Sequence, residues 1–136
     1  MTQRTKQNVT TAMQSESFVQ ATFLRYAAHA RMDADWELAQ IFQRIADSDR
    51  TRHFAEEGDL LQCGTNTADN LRAAINDQVG QIAMYSHFAQ QAQEDGDLRA
   101  AHLFEEVRHE KESQRAELEA GLEKLGYSSN TQTVKA

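Results

Sequence analysis

The chain has 136 residues, a formal net charge of −7, no proline and one cysteine. That length supports one domain with a single core. The acidic balance leaves no basic stripe to neutralise phosphates and argues against nucleic acid as a partner. No apolar run is long enough to span a bilayer and no signal peptide is visible, so the expected location is cytoplasmic, without a membrane partner. A lone cysteine excludes an intrachain disulfide and a four-cysteine metal site.

The abundance of Ala, Gln, Glu, Leu and Arg is the composition of long helices. Thr5 is suited to cap a first helix over about 5–31, with Ala12, Met13, Glu16, Phe23, Tyr26 and Ala27 on one side. Met32-Asp33-Ala34-Asp35 interrupts the pattern, and Asp33 or Asp35 caps a second helix over about 35–62. That helix carries Trp36, Leu38, Ile41, Phe42, Ile45, Asp49 and Arg52, with Cys63 near its end as a small buried or half-buried residue. Gly64 to Thr67 forms a hinge, and Thr67 caps a third helix over about 67–94 with Leu71, Ala74, Asp77, Gln81, Met84, Tyr85 and Phe88. Glu94-Asp95-Gly96-Asp97 is a second tight turn, with Gly96 suited to the left-handed position after a helix. A fourth helix over about 97–125 carries Leu103, Phe104, Val107, Lys111, Gln114, Leu118 and Leu122 and stops at Gly126. Residues 127–136 read as a flexible tail.

Displaced by 62 positions without a gap, the chain matches itself along both halves. Thr5 falls on Thr67, Ala27 on Ala89, Asp33 on Asp95, Asp35 on Asp97, Phe42 on Phe104 and Gly64 on Gly126. Each half reads as a helical hairpin. The expected fold is all-α, an antiparallel four-helix bundle of two repeated hairpins, over 1–126.

Charged residues fall in register with the apolar stripes: Glu16, Asp49, Arg52, Asp77 and Lys111, at one level of all four helices. A carboxylate on the apolar side of a helix is costly unless a metal or a basic side chain meets it. Long Arg52 and Lys111 side chains also have the reach to extend to solvent along the stripe edge.

At this point the chain resembles the rubrerythrin-type ferritin-like domain over about residues 5–126. The resemblance rests on Glu16-Ser17, Phe23-Leu24-Arg25-Tyr26-Ala27 and Phe42-Gln43-Arg44-Ile45-Ala46 in the first half. In the second half it rests on Ala74-Ile75, Met84-Tyr85, Phe88-Ala89, Gly96-Asp97 and Leu103-Phe104. It implies a four-helix bundle with a buried diiron site that reduces hydrogen peroxide, often as a homodimer and often with an attached rubredoxin, which this sequence lacks. It also implies seven metal ligands: a Glu on the first helix, Glu-x-x-His on the second, two Glu three apart on the third, and Glu-x-x-His on the fourth. Carried over, Glu16 matches the first ligand, Asp49 stands at the second-helix Glu and Arg52 at its His. Asp77 and Gly80 stand at the third-helix pair, or Gln78 and Gln81 if that helix is shifted by one. Lys111 and Gln114 replace the last Glu and His. Arg52 does not ligate at any accessible pH, and Lys111 puts a positive charge where iron would sit.

Two readings follow. In the first, Arg52 and Lys111 bridge Glu16, Asp49 and Asp77 in place of the metals, Gly80 admits a close neighbour, and no cofactor is needed. The protein is then a structural or protein-interaction module, a homodimer that exchanges hairpins about the Gly64–Thr67 hinge or the partner of an unidentified protein. In the second, the chain is an iron oxidoreductase that reduces hydrogen peroxide with a separate electron donor. Its residual metal site would be Glu16, Asp49, His53 and Asp77, or a single metal on Asp49 and His53. Glu106 and His109 have ligand spacing, but His109 lies about 200° from Val107 around the helix and points to solvent. His29, His87 and His102 read as surface or edge residues.

Overall fold

The structure is a computed structural model that describes residues 1–64 and 66–127. Among these every regular element is a helix, and the side chains at positions 49 and 51 lie outside the described residues, as does the expected tail from 128 onward. Two compact units divide it, Met1–Cys63 and Gly64–Ala136. Among the described residues no helix is long and apolar enough to cross a membrane.

The first unit is a hairpin of α1 (Gln3–Met32) and a return arm in three pieces. These are α2 (Trp36–Ser48), a π-turn (Asp49–His53) and α3 (Phe54–Leu60). The cap of α1 is Thr2, whose hydroxyl accepts from the Thr5 N–H at 3.2 Å, so the helix begins one turn earlier than the Thr5 cap suggests. Asp35 caps the return arm by accepting from the Leu38 N–H at 3.2 Å. Between the arms the chain turns through Ala34, which adopts a left-handed φ of 60°.

The second unit pairs α4 (Thr67–Glu94) with an unbroken α5 (Leu98–Lys124). Asn66, rather than Thr67, is the cap of α4: its side-chain oxygen accepts from the Asp69 N–H at 3.1 Å, and Thr67 is already helical. Asp97 stands at the cap position of α5, but its side chain makes no capping bond. Gly96 takes the left-handed conformation with φ 79°. The backbone bonds of the two turns coincide under the 62-residue displacement. Asp33 N–H donates to His29 O and Asp95 N–H to Gln91 O; Asp35 N–H donates to Ala30 O and Asp97 N–H to Ala92 O.

Small side chains let the arms approach near each turn. Ala27, Ala30 and Ala39 are buried in the first hairpin, and Ala89, Ala92 and Ala101 in the second. Beside them sit two aromatic triads. Phe42 meets Phe23 and Tyr26 edge-on, with ring centroids 5.6 and 5.4 Å away. Phe104 lies 6.0 Å from Tyr85 and 5.8 Å from Phe88. The open ends differ. In the second hairpin Ala68, Ile75 and fully buried Leu122 form a cluster flanked by Leu71 and Leu118. In the first, α3 has no buried residue, and Leu60 is 60% exposed.

Candidate functional site

Midway along each hairpin, polar side chains enter the space between the arms. In the first hairpin Glu16 projects from α1 and is half-buried. Its Oε2 is shut off from solvent, makes no hydrogen bond, and lies 3.8 Å from His53 Nδ1. The π-turn explains why His53 is the residue that meets it. A π-turn closes over one residue more than an α-turn, so the residues after it are set back by one position on the helix face. A regular helix would carry Arg52 to the side facing α1. With the extra residue, His53 reaches Glu16 and Arg52 is exposed. The Arg52 expected between the arms is therefore displaced, and for a local backbone reason. Glu57, one turn beyond His53, has a second solvent-inaccessible carboxylate oxygen without a hydrogen bond. Asp49 opens the π-turn, and its side chain lies outside the described residues.

The second hairpin places Gln78 at the corresponding depth, with Gln114 and Lys111 opposite on α5. Gln78 Oε1 is also inaccessible and without a hydrogen bond. It lines a groove of about 510 Å³ with Leu71, Ala74, Gln114, Glu117 and Leu118. Lys111 is half-buried and donates to Gln114 Oε1 at 3.3 Å. Asp77, one residue before Gln78, is exposed, so it is Gln78 that turns into the hairpin. Among the described residues Lys111 makes no ion pair with Asp77. Gly80 admits no close neighbour: a Cβ there would meet no described atom within 4 Å. The signal for Gln78 lies in the repeat itself, since a displacement of 62 carries Glu16 onto Gln78 and not onto Asp77.

The remaining candidates lie on the surface. Glu106 pairs with His102 at 3.2 Å, and His109 with Glu112 at 3.6 Å, all exposed along α5. Arg108 bridges Glu105 at 2.7 Å and Glu112 at 2.6 Å; its pKa is raised, first by the hydrogen bond to Glu105. Cys63 is exposed rather than buried, because α3 ends at Leu60 and the turn that follows carries it outward.

Seven oxygen and nitrogen donors around two irons do not fit this set. The second hairpin offers amides and an ammonium where carboxylates and imidazole would be needed. Among the described residues no group of three or more His, Cys, Asp and Glu side chains is placed to hold a metal ion. Compared with family models, with curated proteins and with solved structures, the chain matches none.

Proposed function

We propose that the chain is a ferritin-like bundle of rubrerythrin type in which side-chain polar groups have replaced the diiron centre, and that it acts as a structural or protein-interaction module. The observation that carries this reading is the half-buried Lys111–Gln114 pair beside Gln78, at the level where the other hairpin holds Glu16 and His53. An ammonium held there repels a divalent cation, and amide oxygens are weak ligands beside the carboxylates they replace. The matching turns, alanines and aromatic triads at a spacing of 62 support two copies of one hairpin unit that close as a four-helix bundle.

A second reading, an iron oxidoreductase that reduces hydrogen peroxide with a separate electron donor, has one observation in its favour. Glu16 and His53 bring a carboxylate oxygen and an imidazole nitrogen within 3.8 Å. Metal content separates the two. After anaerobic loading with ferrous iron and desalting, mass spectrometry should find near-zero iron, manganese and zinc per chain. About two irons per chain overturns the metal-free reading. About one metal, lost on His53→Ala, assigns a single-metal site to the first hairpin.

A further inference from the structure

We infer that the return arm of the first hairpin has two registers, the π register of this structure and a regular α register, and that the π-turn lets it pass between them. This equilibrium belongs to the first hairpin alone and does not depend on the ferritin-like reading. The second hairpin displays the alternative register. Along unbroken α5, Gln114, Leu118 and Leu122 turn toward α4, the first two half-buried and Leu122 fully buried. A displacement of 62 carries them onto Arg52, Glu56 and Leu60, and all three of those are exposed. The residues that follow them take the inward side instead. His53 approaches Glu16 at 3.8 Å, and Glu57 and Leu61 are half-buried. The arm thus carries two interleaved inward sets, one residue apart, each ending in a leucine.

Neither register satisfies every group. In the π register Glu16 and Glu57 each keep a solvent-inaccessible oxygen without a hydrogen bond. The helix also stops on an unsuited residue: Gln62 takes a left-handed φ of 56°, a conformation that favours glycine, as Cys63 N–H donates to Gly58 O at 2.9 Å. In the second hairpin the same closing bond, Tyr127 N–H to Leu122 O, forms over left-handed Gly126. Gly126 corresponds to Gly64, so the α register lets Gly64 end the helix and releases Gln62. It also brings Arg52, with five N–H donors, to Glu16 and turns Glu57 out to water. The π register is held by His53 beside Glu16 and by Met13 against Gly58, where its Cε lies 3.7 Å from the place of a Cβ. Because α3 has no buried residue, turning it by about 100° breaks little packing. The shift changes the outward face from Arg52, Glu56 and Leu60 to His53, Glu57 and Leu61, so a partner that binds one face selects one register.

The test is amide relaxation-dispersion and saturation-transfer NMR on the full chain, which detect a minor state exchanging on slow timescales. Residues 52–64 should share one exchange process, with the α register as the minor state, and residues 111–124 should show none. Deletion of Thr51 leaves no extra residue to move and should abolish the exchange. Gln62→Gly should lower the α-register population at least about fivefold, because it removes the left-handed strain of the π register and weakens the longer helix of the α register. This substitution keeps the test decisive if the deletion fails to fold. An absence of exchange over 52–64 in the wild type overturns the two registers. So does exchange that survives deletion of Thr51, or a minor population that Gln62→Gly leaves unchanged.

Discussion

The two hairpins share a turn and differ in how they are held beyond it. Near the turns the backbone bonds, buried alanines and aromatic triads correspond residue for residue. Toward the open ends the second hairpin is locked by Leu122, Ile75 and Ala68, while the first carries a π-turn and ends in a seven-residue helix with no buried residue. A register shift survives only where little packing depends on it. The extra residue at Asp49–His53 turns only α3, which has little to lose. The same insertion in α5 would swing Leu118 and Leu122 away from their cluster.

Removing a residue gives the largest contrast. Deletion of Ser113 should turn everything beyond it by about 100° and cost at least the burial of one leucine, about 2–5 kcal/mol. Deletion of Thr51 should convert the π-turn to regular helix at a cost below about 1 kcal/mol. Urea unfolding midpoints of the two deletions compare them directly, and equal losses would show that the π-turn is packed as firmly as α5.

Single side chains sharpen the contrast. Leu122→Ala should destabilise by about 2–4 kcal/mol, since it empties a fully buried site. Leu60→Ala, at the corresponding but exposed position, should change stability by less than about 1 kcal/mol in the isolated hairpin fold. A large loss at Leu60, seen in the same unfolding experiment, would mean that assembly covers it.

The smallest effect is at the turns, and its sign reverses between them. Ala34 occupies a left-handed conformation that costs an L-residue about 1–2 kcal/mol, whereas Gly96 holds it freely. Ala34→Gly should raise the melting temperature, by a net of roughly 0.5–1 kcal/mol after the added chain entropy. Gly96→Ala should lower it by about 1 kcal/mol. Two shifts of the same sign would break the equivalence of the turns.

Much of this was legible in the residues. The all-helical character, the breaks at Asp33–Asp35 and Asp95–Asp97 and the left-handed glycine follow from composition, periodicity and turn chemistry, which are local properties. The 62-residue displacement carries Glu16 onto Gln78, a signal that the choice of Asp77 passed over. Asp77 misleads because it occupies the neighbouring position, where helical arithmetic tolerates an error of one residue.

His53 was named beside Glu16 among the alternative ligands, but its taking the place of Arg52 on the face toward α1 was not legible. Periodicity assumes about 100° per residue along the whole arm, and a π-turn breaks that assumption at one point. Nothing in Asp49-Arg50-Thr51-Arg52-His53 demands it. The sequence by itself determined the helical character and the two turns, because those depend on neighbours a few residues away, whereas the caps of α1 and α4 fell on Thr2 and Asn66 instead of Thr5 and Thr67. Only the tertiary structure decided which face of the return arm meets α1. That choice balances the loss of regular helical bonding against packing between arms distant in sequence, including the approach of His53 to Glu16.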